Sequence, residues 1–265
     1  MHRAGIFKSS ILVDVVNYAG LPLLAIYCFS MFVFPWITGG CSWEHVQAVW
    51  DRWQSLNAGA LAFIASLVAF NISRFNESRQ RERDFVAAKA FLPSTLSGLM
   101  EYFTRCASIY ETLWASEAAA PVAFTPPDLP AGYREVFSNC IRHADPTVGS
   151  YLSDILVRLQ VHEARLRDAV VPARSGTERV VDKHSLIVYV FRLGELHALV
   201  GNLFGFARGE NVFAESKLSW ENLRSAYNIL NFEIGDYFID ERMNLEAFTK
   251  RQLSHTEDQT SPGAK

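Results

Sequence analysis

Two stretches without charged side chains dominate the first quarter of the chain. No Asp, Glu, Lys or Arg occurs from Val15 to Trp43, and a second such window runs from Trp53 to Ser73. Each window is long enough to cross a hydrocarbon core of roughly 30 Å, which takes about 20 helical residues. The pattern predicts a transmembrane hairpin over 15–73, with spans at about 18–37 and 53–73 and an outer loop at 38–52. A buried helix of a soluble protein has a similar composition and is the alternative.

Beyond Arg74 the apolar positions recur every three or four residues, as on one face of a helix. The stripes predict helices over about 92–113, 133–141, 148–166, 183–207 and 216–250, with a proline-rich loop at 118–132. A strand is the alternative for 186–191, but its periodicity continues as a helix. The predicted fold class is an all-α membrane protein: the N-terminal two-helix transmembrane hairpin, then a cytoplasmic bundle of about five helices over 74–250. The flank 1–14 is placed in the cytoplasm and the polar tail 251–265 is predicted to be disordered.

The distribution of Lys and Arg predicts how the chain is threaded through the membrane. Arg3 and Lys8 precede the first span, only Arg52 lies between the spans, and a basic flank follows the second span. This inner-leaflet flank consists of Arg74, Arg79, Arg81 and Arg83. Because basic residues concentrate on the cytoplasmic side, both termini are predicted to be cytoplasmic in a multi-pass protein of the bacterial inner membrane.

Four of the six tryptophans surround the outer loop. They are Trp36, Trp43, Trp50 and Trp53. Tryptophan prefers the headgroup zone, so this set predicts an interfacial belt. Ser42 is predicted to cap a short helix that carries three of these rings and lies on the outer leaflet. Pro35 removes a backbone donor near the end of the first span, and we expect a neighbouring helix to satisfy the carbonyl that is left free.

The second span carries alanines at steps of four, three and four residues. This helix-packing seam consists of Ala58, Ala62, Ala65 and Ala69. Small residues let helices approach closely in lipid, where packing rather than the hydrophobic effect drives association. The seam therefore predicts either packing against the first span or association with a second copy. No ionisable Asp, Glu, Lys or Arg lies inside either span, which argues against a proton relay or a carrier site.

Composition and motifs give little support to catalysis. The net charge of −3 gives no general reason to expect a nucleic-acid partner. The four cysteines are scattered, and no phosphate-binding, nucleophile or metal-binding signature is present. His162 and His197 each occupy an apolar stripe and are interpreted as core histidines that are hydrogen-bonded to a neighbour. We expect no catalytic residue, no cofactor and no metal.

The layout of a short membrane hairpin followed by a cytoplasmic helical domain is similar in outline to bacterial membrane effectors of phage defence, such as the two-span effectors associated with retrons. The similarity lies in architecture, without shared signature residues. The sequence predicts a non-enzymatic membrane protein whose partners are the bilayer and either a second copy or a cytosolic protein. The alternative is a membrane-disrupting effector whose hairpins oligomerise and permeabilise the membrane when the cytoplasmic domain is triggered.

Overall fold

The computed structural model describes residues 18, 20, 22–115, 124–170, 182–240 and 243–260. The protein is mostly helical, with one two-stranded antiparallel hairpin among the described residues. It divides into two units, Met1–Glu77 and Ser78–Lys265. The predicted flank 1–14 lies outside the described residues.

In the first unit, the predicted first span contains helix α1, Pro22–Thr38, whose Phe29–Val33 segment is a π-helical turn. Helix α2 is Trp43–Arg52, and helix α3 begins at Gln54 and continues to Lys89. Nearly all of the predicted second span is thus helical, and the helix continues past Arg74 to Lys89. Ser42 stands at the start of α2, but its side chain makes no capping hydrogen bond, so that detail of the prediction is wrong.

Pro35 explains how α1 and α2 are joined. A proline at position 35 cannot donate to the carbonyl of Met31, four residues earlier. The indole Nε1 of Trp50 on α2 donates to that carbonyl at 2.9 Å, as the sequence led us to expect of a neighbouring helix. Val46, which is fully buried, and Met31 pack between the two helices. A backbone group that would otherwise be unpaired is therefore satisfied by a side chain that also contributes apolar contact.

The second unit contains the remaining elements. They are α4 Leu92–Ala115, α5 Tyr133–His143, α6 Pro146–Val170, α7 Lys183–Gly201, α8 Phe204–Arg208, α9 Trp220–Ile229, β1 Phe238–Asp240, β2 Met243–Asn244 and α10 Leu245–Thr260. Helix α7 lies at the centre and packs against α4, α6, α9 and α10. Because α7 is surrounded, it is apolar on nearly every side, and 186–191 belongs to this helix rather than to a strand. Asp182 caps it by accepting from the backbone N–H of Ser185 at 3.2 Å.

The predicted helix over 216–250 is wrong. Helix α9 ends at Ile229, and Asn231 takes a left-handed backbone conformation with φ of 62°, which an asparagine tolerates and a continuing helix does not. The chain then turns into the β1–β2 hairpin. A second helix, α10, follows and extends to Thr260, into the segment that was predicted to be a disordered tail; residues 261–265 lie outside the description.

Two helical stretches are long and apolar enough to cross a membrane by length and composition, Gln54–Ala115 and Lys183–Arg208. They are not the predicted pair of spans. The described part of α1 is shorter, at about 25 Å for 17 residues. The two stretches differ in burial: the apolar window of the first is 0% buried, whereas that of the second is 67% buried. The second is therefore a core helix of its unit.

Candidate functional site

The alanine seam on α3 is uncovered. Ala58, Ala62, Ala65 and Ala69 are all exposed. The partly buried residues of this part of α3 lie roughly 150° away around the helix; they are Asn57, Ala60, Ile64 and Leu67. Tyr27 of α1 donates to Asn57 Oδ1 on that side at 2.8 Å. Contact within the first unit therefore uses another side of α3 and leaves the seam free.

Three of the four tryptophans form a connected cluster. The Trp43 ring lies 6.0 Å from Trp36 and 6.3 Å from Trp50, and the Trp50 ring meets Phe32 edge-on at 5.6 Å. Trp53 is exposed. Two residues of the α2 face that was expected to lie on lipid, Val46 and Trp50, thus pack onto α1. The Trp36, Trp43 and Trp53 side chains remain exposed.

The four arginines of the basic flank differ in their surroundings. The Arg74 guanidinium lies 5.9 Å from the Phe70 ring centre, and Arg79 and Arg83 are exposed. Arg81 instead donates to the backbone carbonyls of His143 and Ala144 at 3.3 and 3.2 Å. It satisfies carbonyls at the end of α5, where a cation also opposes the negative end of the helix dipole. Arg81 is therefore a structural residue of the second unit.

A cluster of buried polar side chains lies inside the second unit, between α4, α6 and α7. His162 is 3% exposed, and the Tyr102 and Tyr110 rings each meet its imidazole edge-on with centroids 6.0 Å apart. Among the described residues, His162 Nε2 and Tyr110 Oη make no hydrogen bond, and the neighbour of Tyr102 Oη is the Cys106 thiol. His162 is thus a buried histidine, as predicted, and its Nε2 makes no hydrogen bond. Buried polar atoms are rarely left unpaired.

Burial sets the protonation of this cluster. It lowers the pKa of His162 to about 4, with a further contribution from the positive charge of Arg165. Burial also raises the pKa of the Cys106 thiol to about 12 and raises the pKa values of both tyrosines. All four groups are therefore neutral at pH 7. They can donate and accept hydrogen bonds, but Cys106 has no thiolate to act as a nucleophile.

A half-open groove of about 150 Å³ lies between α6 and α7, beside this cluster. It is lined by Val157, Arg158, Val161, His162, Arg165, Tyr189, Arg192, Glu195 and Leu196. Glu195 accepts from Arg192 Nη1 at 2.8 Å and from Arg158 Nη1. The single carboxylate in the groove is therefore neutralised by two of its three arginines.

Sequence reasoning missed this groove. Arg158 and Arg165 are seven residues apart and so share a face of α6, and Val157 and Val161 lie beside them outside the main apolar stripe. Two valines beside two arginines on one side of α6 are a local signal. The other wall of the groove comes from α7, which is distant in sequence, so the pattern of α6 alone does not predict it.

His197, the other candidate histidine, lies on α7. It is 5% exposed and its ring lies 6.4 Å from that of Phe103; burial lowers its pKa. Within the described ranges no group of three His, Cys, Asp or Glu side chains could hold a metal ion. A second, more polar cleft of about 260 Å³ opens on the other side of α6, next to Tyr102 and the proline-containing segment 125–128.

No protein-family model matches this sequence, and no curated protein or solved structure matches it significantly.

Proposed function

We propose that this chain is a non-enzymatic two-pass protein of the bacterial inner membrane, with both termini in the cytoplasm. In this proposal the second unit binds a protein partner or a second copy, and α1 and α3 tether it to the bilayer. The observation that carries the proposal is the exposed apolar surface of α3, which has no buried residue along its whole length.

The exposed apolar side chains of α3 indicate the environment that this helix requires. Leu61, Phe63, Val68 and Phe70 are 64, 61, 51 and 49% exposed. Exposing apolar surface to water costs about 25 cal/mol per Å², so a helix covered with such residues needs an apolar environment. No charged residue occurs from Trp53 to Ser73, and Arg74 follows directly. This supports a span that ends at a headgroup boundary.

Topology is tested by cysteine labelling in whole cells. Cys28 and Cys41, the two exposed cysteines, are first replaced by alanine. A single cysteine is then introduced in place of Gln47 in the outer loop, or in place of Glu101 in the second unit. We expect a membrane-impermeant maleimide to label Gln47→Cys in spheroplasts and to label Glu101→Cys only after lysis. Equal labelling of both, or release of the protein by alkaline carbonate, would overturn the proposal.

A second candidate function is favoured by the uncovered alanine seam: a membrane-disrupting effector whose hairpins assemble through α3. A seam turned away from the contact with α1 is available to a neighbouring copy. Ala62→Leu combined with Ala65→Leu adds bulk where two helices would meet. Phe63→Leu combined with Phe70→Leu changes side chains on another face and is the matched control.

The effector function is tested by inducing the protein in a bacterial host and following membrane potential with a dye. Depolarisation by the wild type and the phenylalanine control, together with its loss in the alanine double variant at equal membrane content, supports the effector. Depolarisation that the alanine double variant retains excludes assembly through the seam. Cells that stay polarised with all three proteins favour the first proposal, in which α1 and α3 only tether the second unit to the bilayer.

A further inference from the structure

The groove between α6 and α7 has the features of a binding site. A cavity of about 150 Å³ is the size that accommodates a benzene ring in other proteins. Its walls are mainly apolar, with Val157, Val161 and Leu196 among the lining residues. Val157 and Val161 are 55 and 46% exposed, so the opening is bordered by apolar side chains rather than closed by them.

Polar groups converge on one part of this groove. His162 lines the groove and is 97% buried, since its exposed fraction is 3%, and its Nε2 has no hydrogen-bond partner among the described residues. Tyr110 lies against it, with an unpartnered hydroxyl and a ring stacked 5.9 Å from that of Tyr189, a lining residue. Arg165, also a lining residue, is near enough for its charge to lower the pKa of His162 and to offset part of the rise that burial causes at Tyr110. Arg165 and His162 are three residues apart on α6 and are therefore neighbours on the surface of that helix. Tyr110 is buried and is not among the lining residues. One cation and one unused ring nitrogen thus lie side by side in the lining of the groove.

The balance of charges around the groove favours a negatively charged ligand. Glu195 is already paired with Arg158 and Arg192, and Arg158 also pairs with Asp154. Three arginines set against these two carboxylates leave one positive charge, and Arg165, three residues after His162 on α6, is the arginine that takes part in none of these ion pairs. A carboxylate is the group that best combines one negative charge with two hydrogen-bond-accepting oxygens in this space.

We propose that this groove binds a carboxylate attached to a small apolar group. Arg165 and His162 Nε2–H would hold the carboxylate, and the apolar group would pack against Val157, Val161 and Leu196. Two sources have this chemistry: a free small acid, and the C-terminal residue of a partner protein. The site belongs to the second unit alone and does not depend on how the first unit meets the membrane.

The test uses the full chain in lipid nanodiscs. The ligands are para-fluorobenzoate and its neutral counterpart para-fluorobenzamide, each followed by fluorine NMR. We expect the acid to bind with a Kd below about 1 mM, and the amide not to bind. Arg165→Met should weaken binding about tenfold through loss of the charge-assisted contact. Val161→Trp, at a position exposed enough to accept the ring, should fill the opening and abolish binding.

Controls separate this site from adventitious binding. Arg224→Met removes an exposed arginine of α9 and should leave affinity unchanged. Acetyl-glycyl-phenylalanine with a free C-terminus is compared with its amide. Tighter binding of the free peptide than of para-fluorobenzoate identifies a protein C-terminus as the source, and the reverse order identifies a small acid. The proposal is overturned when neither carboxylate binds, when the amides bind equally well, or when Arg165→Met and Val161→Trp leave binding intact.

Discussion

The buried His162 should make the second unit sensitive to acid. Its pKa is lowered to about 4 by burial, from an ordinary value of 6.5. In the unfolded chain the imidazole takes up its proton near pH 6.5, whereas in the folded protein it does so only near pH 4. Between these values the unfolded state binds more protons, so the free energy of unfolding decreases as the pH falls. Above pH 6.5 both states are neutral and this contribution is constant.

The size of the effect follows from the two pKa values. A difference of one pKa unit corresponds to about 1.4 kcal/mol. The loss of stability from this one group is then about 2 kcal/mol at pH 5 and approaches about 3 kcal/mol below pH 4. For a unit of this size a change of 1 kcal/mol shifts the melting temperature by roughly 2–4 °C, so the shift at pH 5 is about 4–8 °C.

His162→Phe isolates this contribution. Phenylalanine has a similar shape, can keep the edge-on contacts with Tyr102 and Tyr110, and does not titrate. It also removes an unpartnered Nε2, so we expect little loss of stability at pH 8. Melting of the full chain in nanodiscs is followed by circular dichroism at pH 8 and pH 5, with His255→Asn on the exposed side of α10 as the control for loss of a histidine.

We expect the difference in melting temperature between the two pH values to be smaller in His162→Phe than in the wild type by about 4–8 °C. Other groups contribute equally to both proteins and cancel in this comparison. An unchanged difference would refute the reasoning, because it would mean that His162 titrates in the folded protein as it does in the unfolded chain.

Three further substitutions test the packing. Gly194→Ala places a methyl group against the Tyr227 ring, which is fully buried, and should cost about 1–3 kcal/mol in chemical denaturation; Gly201→Ala, whose methyl group would meet only a methionine tip at 3.8 Å, should cost nothing. Arg81→Met removes both hydrogen bonds to the end of α5 and should cost about 1 kcal/mol by the same measurement. Trp50→Phe leaves the Met31 carbonyl of α1 unpaired and should destabilise the first unit by about 1–3 kcal/mol, measured as faster proteolysis of that unit. Proteolysis at the wild-type rate would show that this hydrogen bond does not stabilise the unit.

Regular apolar periodicity was the part of the sequence that predicted structure well. In α4, Leu92, Leu96 and Leu99 begin a stripe that is fully packed into the core, because a helix with one apolar stripe has only one way to bury it. The same reasoning failed over 216–250. There Leu230, Ile234 and Tyr237 keep helical spacing across a turn at Asn231, and three residues of strand are too few to show an alternating pattern.

The candidate groove was beyond prediction for a different reason. Arg165 and His162 share α6, but Tyr189 and the neutralised Glu195 come from α7. Whether a buried Nε2 has a partner depends on side chains that are distant in sequence. The periodicity could place His162 in the interior, and only the packed neighbours show that its ring nitrogen lacks a partner there.

Helices α3 and α7 show why apolar composition alone does not identify a membrane span. Their apolar windows have mean hydropathies of 1.7 and 1.3, yet only α7 is enclosed by other helices. Charge inside the segment separates them. The middle of α7 carries Arg192 and Glu195, which pair with each other on a side facing the groove; such a pair is ordinary beside water and costly at the centre of a bilayer. The part of α3 that precedes Arg74 carries no charged residue. An apolar helix that contains its own ion pair is expected to enter a protein core, and one that keeps its charges at its ends, with nothing covering its sides, is expected to enter lipid.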